Sequence, residues 1–305
     1  MNYSDERLIP IDTPLGKFNV WTKRFGENAT IKLLLLHGGP GATCELFESF
    51  EKFLLKEGIE FYYYNQLGSF LSDQPTDISL WTIERFADEV EQVRKALGLN
   101  QNNFYLFGHS WGGLLALEYA LLYPNNLKGL IISNMMSSCQ DYGSYVEHVL
   151  AKQMDPKVLA AIREFEANDD YQNPEYMEIL MSHFYIKHFC RLQPWPEVFS
   201  RAFQHLNGQV YTLMQGPSEF GISGRIKEWS RKDDLSKVTV PTLIIGATYD
   251  TMDPEHMKWM AKQVQNGSSV ICPNGSHCSM WDDQEHFFPA LIQFIKRVNN
   301  NENAN

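Results

Sequence analysis

Five residues, Gly108-His109-Ser110-Trp111-Gly112, constrain this chain more than any other stretch. They fit the pattern G-x-S-x-G, and Gly113 follows. An apolar run, FYLF at 104–107, leads in, and LLALEYALLY at 114–123 leads out. A serine on so tight a strand-to-helix turn sits in a strained backbone with its Oγ exposed. Only very small flanking residues let strand and helix approach that closely. The spacing therefore predicts a nucleophile at Ser110. The bland alternative is an ordinary turn with a helix-capping serine.

The neighbouring segments decide between the two. KFNVWTKR (17–24), IKLLLL (31–36), FYYYN (61–65), NFYLFG (103–108) and LKGLIISN (127–134) read as strands. WTIERFADEVEQVRKALGL (81–99) reads as a helix, with Ile83, Phe86, Val90, Val93 and Leu97 on one face and Gly98 near its C-terminal end. Residues 111–122 read as the helix after the elbow. Strands alternating with helices of this length predict a parallel sheet covered on both faces. The alternation stops near residue 135, and 136–230 reads as helices and aromatic-rich loops. Strands return in VPTLIIGATYD (240–250) and SSVICPN (268–274), before a last helix over roughly 284–298. The expected architecture is an α/β-hydrolase fold: a mostly parallel, doubly wound sheet with an inserted helical cap. Residues 1–135 and 231–305 would form the core and 136–230 the cap.

Two further pieces belong to such a nucleophile. The run LLLL ends in His37-Gly38-Gly39-Pro40-Gly41. A glycine loop there exposes backbone N–H groups, and this fold takes one oxyanion donor from that loop and one from the residue after the nucleophile. The donors expected are Gly39 and Trp111, since Pro40 has no N–H. A phosphate-binding loop fits poorly, because no Walker lysine follows and the spacing is not G-x-G-x-x-G. The acid and the base should follow the serine in that order. Asp250 ends the strand LIIGATYD, and His277 lies in the loop CPNGSHCSMW. Asp253 is a rival acid three residues on, and His286 falls in the last helix as a surface residue.

Net charge is −11, which argues against nucleic acid or an anionic membrane as a partner. The five cysteines contain no Cys-x-x-Cys pair, so reduced thiols in a cytoplasmic protein are expected, without zinc or a disulfide framework. The start, MNYSDERLIPID, lacks the apolar stretch of a signal peptide, and no apolar run is long enough for a membrane span. Neither a cofactor nor a metal is expected. Oligomeric state is not legible.

With these residues in view, the chain resembles the proline iminopeptidases of the α/β-hydrolase superfamily from about residue 10 to 298. HGGPG (37–41) is similar to their oxyanion loop and GHSWGG (108–113) to their elbow. YNQLGSFLSDQP (64–75) resembles a segment usually written D-Q-x-G-x-G-x-S, with Asn65 for the Asp and Phe70 for a Gly. MQGPSEF (214–220) resembles their G-P-x-E-F motif, the most specific of the four. The resemblance implies that Glu219, with Phe220 beside it, binds the free α-amino group of a substrate. It also implies release of an N-terminal residue, preferably proline, from a short peptide or amino-acid amide. Many relatives carry a second glutamate directly after the catalytic aspartate; here Thr251 stands there. A wider amino-acid amidase, or a carboxylesterase on the same scaffold, is the alternative.

Overall fold

The computed structural model describes residues 4–302. The order of elements is β1 (Ser4–Thr13), β2 (Gly16–Phe25), β3 (Ile31–Leu36), α1 (Glu48–Leu54), β4 (Ile59–Asn65), α2 (Ile83–Ala96), β5 (Phe104–His109), α3 (Trp111–Leu122) and β6 (Gly129–Ser133). Six helices follow without an intervening strand: α4 (Cys139–Tyr145), α5 (Pro156–Ala167), α6 (Pro174–Leu180), the single turn α7 (Ile186–His188), α8 (Glu197–Gln204) and α9 (Gly208–Met214). The chain then forms β7 (Thr242–Ala247), α10 (Pro254–Gln263), β8 (Gly267–Cys272), α11 (Ser279–Asp282) and α12 (Gln284–Glu302).

Eight strands form one sheet in the order β1-β2-β4-β3-β5-β6-β7-β8. The β1/β2 and β2/β4 pairs are antiparallel, and every pair from β4/β3 onward is parallel. The parallel strands β4, β5, β6 and β7 are buried along their whole length, which is why they read as continuous apolar runs. The chain winds outward from β3 to β4, then crosses to β5 on the other side of β3. Ligands in such sheets bind at the carboxyl ends of strands where the winding reverses. Here those ends are His37–Gly41 after β3 and Ser110 after β5, side by side because Leu36 pairs with Gly108.

Helix α2 lies close to its predicted span. Thr82 caps it by accepting from Arg85 N, Phe86, Val90 and Val93 are buried, and Gly98 follows the last turn with φ +66°. The first strand is a feature that the reading of the sequence overlooked. Its charged residues disguise it, but Ile9 and Ile11 alternate inward while Leu8 is exposed, and β2 pairs with it over its full length.

The helical stretch between β6 and β7 leaves and re-joins the sheet at one place. Ser138 and Ser230 form an isolated bridge, Cys139 N donates to Trp229 O, and Arg231 N donates to Ser137 O. None of the helices among the described residues is long and apolar enough to cross a membrane.

Candidate active site

Ser110 occupies the sharp turn between β5 and α3, with φ +55° and ψ −127°. That conformation is strained for a residue with a side chain, and it persists only where the surroundings enforce it. They do so here: Ser110 N donates to Ser133 O, and Ser110 O accepts from Gly113 N at 2.7 Å. Strand and helix also touch backbone to backbone. A Cβ on Gly108 would lie 2.0 Å from Gly112 O.

The glycine loop passes directly beside the serine. A Cβ on Gly38 would lie 3.1 Å from Ser110 Cβ and 3.5 Å from its Oγ. Trp111 opens α3, and the first amides of a helix have no partner within it. Gly39 sits in the same loop at φ +109°, where a Cβ would lie 2.6 Å from Ala42 N.

Gln66 braces this loop, a role the motif reading did not assign. Its side-chain amide donates to His37 O (3.1 Å), and its Oε1 accepts from Trp111 Nε1 (2.8 Å). Its backbone N–H donates to His37 Nε2 at 3.1 Å, while His37 Nδ1 lies 2.8 Å from Gly38 O. Burial pushes the His37 pKa down to about 4. A neutral ring that donates from Nδ1 and accepts at Nε2 satisfies both contacts.

Asp250 and His277 meet as the order along the chain predicts. His277 Nδ1 lies 2.8 Å from Asp250 Oδ1, and both side chains are almost fully buried. Burial alone would lower the His277 pKa, but the Asp250 charge and hydrogen bond, and then Glu219, outweigh it and leave the pKa raised. His277 Nε2 is buried with no protein partner among the described residues, so Ser110 is not bonded to the ring here. Such bonds often form only around a substrate. His109, buried and held neutral by its burial, packs its ring 4.9 Å from that of His277.

The helical stretch fastens onto the histidine loop. His277 N donates to His188 O, and Cys278 N and Ser276 Oγ both donate to Phe189 O. It also carries Glu219, buried on its loop. Three tyrosines hold this residue. Tyr211 OH donates to Glu219 Oε1 (2.7 Å), Tyr142 OH donates to Glu219 O (2.7 Å), and Glu219 N donates to Tyr185 OH (3.0 Å). Burial first, and the Glu219 charge next, raise the pKa of all three, so they remain phenols. Phe220 packs edge-on against Phe184 (4.9 Å) and beneath the Arg163 guanidinium (5.0 Å).

The remaining candidates also have definite places. The Thr251 hydroxyl donates to Asp250 Oδ1 at 3.3 Å and lies 3.2 Å from His277 Nδ1. Asp253 caps α10 by accepting from Glu255 N. His286 lies at the start of α12, bonded to Asp283 and partly exposed. All five cysteines are free and buried.

Comparison with known proteins agrees with this architecture. A family described as the alpha/beta hydrolase fold matches residues 32–284. The chain is 59% identical to the proline iminopeptidase of Flavobacterium johnsoniae, covering 96% of this chain and 98% of that protein. It is 52% identical to the proline iminopeptidase of Chitinophaga pinensis, covering 96% and 99%. Among solved structures, VinJ superposes with a TM-score of 0.90 at 28% identity, covering 96% of this chain and 99% of that one. A proline iminopeptidase of Mycobacterium smegmatis superposes with a TM-score of 0.86 at 28% identity, covering 98% and 100%. With the elbow, the glycine loop and a buried carboxylate–imidazole pair at the carboxyl ends of the strands of one sheet, this chain belongs to the proline iminopeptidase family of α/β hydrolases.

Proposed function

We propose that the protein releases an N-terminal residue, preferably proline, from short peptides or amino-acid amides with a free N-terminus. Ser110 attacks the first carbonyl while His277 Nε2 takes its proton. Asp250 holds the imidazole in the tautomer with hydrogen on Nδ1 and stabilises the imidazolium. The amides of Gly39 and Trp111 receive the oxyanion. His277 then protonates the leaving amine, and water, with His277 as base, releases the acyl-enzyme.

One observation carries the choice of substrate. Glu219 is a buried carboxylate whose charge, after that of Asp250, helps to raise the His277 pKa, and in this reading it stands on the acyl side of the reacting centre. Tyr211 occupies its Oε1. A cationic α-amino group can pair with such a carboxylate by a charge-assisted hydrogen bond, whereas a neutral fatty chain would leave it unpaired. Residues 136–230 act in this reading as a cap over a core of 1–135 and 231–305, admitting only small peptides. Phe220 would complete the wall on which Glu219 stands.

The test compares kcat/KM for the arylamides of proline and N-acetylproline, with wild type and Glu219→Ala. The free amine should be strongly preferred, and the substitution should remove most of that preference, about 2–5 kcal/mol for a lost buried charge pair. Equal use of the acetylated substrate by the wild type would make the protein a general amidase or esterase. Thr251 favours a second, broader reading of the amino-acid preference, because its hydroxyl is engaged with Asp250 and puts no second carboxylate beside the amine. Turnover of alanine arylamide at a rate close to that of proline arylamide would support that reading.

A further inference from the structure

Asn134 directly follows β6, and the mechanism above does not use it. It is fully buried and has φ +53°. Its side chain stands between the two loops that carry the acid and the base. Nδ2 donates to Asp250 Oδ2 at 2.7 Å and to Ser276 O at 3.2 Å. Oδ1 accepts from Ser133 Oγ at 2.7 Å and from Ser279 Oγ at 3.2 Å. Both amide hydrogens and both oxygen lone pairs are therefore matched to partners of the right kind. A flipped amide would set its oxygen against a carboxylate and a carbonyl.

This arrangement does something for Asp250 that His277 cannot. The carboxylate is almost fully buried, and its two oxygens are divided: His277 and Thr251 take Oδ1, and Asn134 takes Oδ2. Without a donor at Oδ2, the carboxylate would be under-solvated and free to turn about its own axis. Ser276 is the residue before the catalytic histidine, so the same amide also ties the histidine loop to the end of β6.

We propose that Asn134 is a positioning residue of the triad. It fixes Asp250 so that Oδ1 faces His277 Nδ1, and it sets the separation of the acid and base loops. The inference rests on Ser110, His277 and Asp250 acting as the triad. A purely conformational role is the competing explanation, because asparagine tolerates positive φ better than most residues. Glycine would serve that role equally well.

Two substitutions separate these roles. Asn134→Gly keeps the backbone and removes the amide. Asn134→Asp is isosteric and keeps the fold testable if the glycine variant is unstable. Each would be assayed for kcat and KM on proline arylamide across pH, with thermal unfolding as the check on folding. Asn134→Gly should lower kcat about 100-fold, the scale of a misplaced catalytic group, with KM little changed. In Asn134→Asp, the introduced carboxyl can donate the same hydrogen bond only while protonated. Two carboxylates so close share one proton, and the second ionisation sets them against each other. Activity relative to wild type should therefore fall as pH rises. A glycine variant that matches wild type, or an aspartate variant with the wild-type pH profile, would overturn the inference. If an organophosphonate fails to label Ser110 in the wild type, the triad reading itself fails and the inference falls with it. Labelled wild type with silent Asn134 variants defeats only the role of Asn134.

Discussion

Gly112 lies against the end of β3 so closely that a Cβ on it would stand 2.1 Å from the carbonyl oxygen of Leu36. That contact joins the helix after Ser110 to the strand that carries the glycine loop. It also explains why the elbow needs glycine at this point: the obstacle is backbone, which cannot swing aside as a side chain would. Gly112→Ala should destabilise the fold by about 1–3 kcal/mol through overpacking. A lowered thermal midpoint together with lost activity would agree. An alanine variant as stable and active as wild type would show that the strand and helix can separate at no cost.

In the proposed triad Asp250 holds the tautomer of His277, so Asp250→Asn should leave the fold intact while reversing the hydrogen bond to Nδ1. The expected loss in kcat is about 10⁴-fold, the scale of removing the orienting carboxylate from such a triad. Ser110→Ala should abolish turnover and organophosphonate labelling alike. Steady-state kinetics, with labelling followed by mass spectrometry, check both. Retained labelling in Ser110→Ala would place the nucleophile elsewhere.

Gln66 links His37 O to Trp111 Nε1, and so connects the two segments that carry the proposed oxyanion donors. Gln66→Leu leaves both groups buried without partners, at about 1–3 kcal/mol for each unsatisfied group. Thermal unfolding should show that loss. If the glutamine also sets the spacing of the donors, kcat should fall while KM changes little. A parallel rise in KM with constant kcat would point to ground-state binding.

The pH dependence follows from two groups with opposite protonation requirements. Burial lowers the His277 pKa, but Asp250 and Glu219 together raise it above its ordinary value of 6.5. As the proposed base, His277 must be neutral to accept the Ser110 proton. Activity should therefore be lost as pH falls through that raised pKa, placing the acid limb of kcat/KM above 6.5. If Glu219 binds the amine as proposed, a peptide substrate must keep that amine charged, so activity should also fall as pH rises past the amine pKa, about 7.7–8.0 for an ordinary α-amino group. A series of arylamides with different amine pKa values tests the assignment. The alkaline limb should follow the substrate, and the acid limb should stay with the enzyme. In Glu219→Gln, the acid limb should move to lower pH.

Much of this molecule was legible along the chain because the relevant physics is local. The elbow announces itself through glycines that a close crossing requires, the buried parallel strands through unbroken apolar runs, and α2 through its spacing. The order Ser110, Asp250, His277 could be read because each stands just past a recognisable strand. The strand Ser4–Thr13 was overlooked because its charged residues obscure the two isoleucines that alternate inward.

Contacts between distant segments were of another kind. Nothing near Asn134 in sequence signals that its amide would meet Asp250, 116 residues away. Nor does anything near Tyr142 signal that it would hold the loop of Glu219, 77 residues further on. An asparagine at a strand end or a tyrosine on a helix has many uses, and hydrogen-bonding groups acquire a particular one only when folding brings a partner within about 3 Å. The sequence by itself determined the parallel strands, the elbow with its candidate nucleophile and the residue types available for chemistry, because periodicity, steric need and residue type act over a few neighbouring positions. Only the tertiary structure decided which groups meet Asp250, brace the glycine loop and hold the carboxylate of Glu219, because those depend on distances between segments that the chain order does not contain.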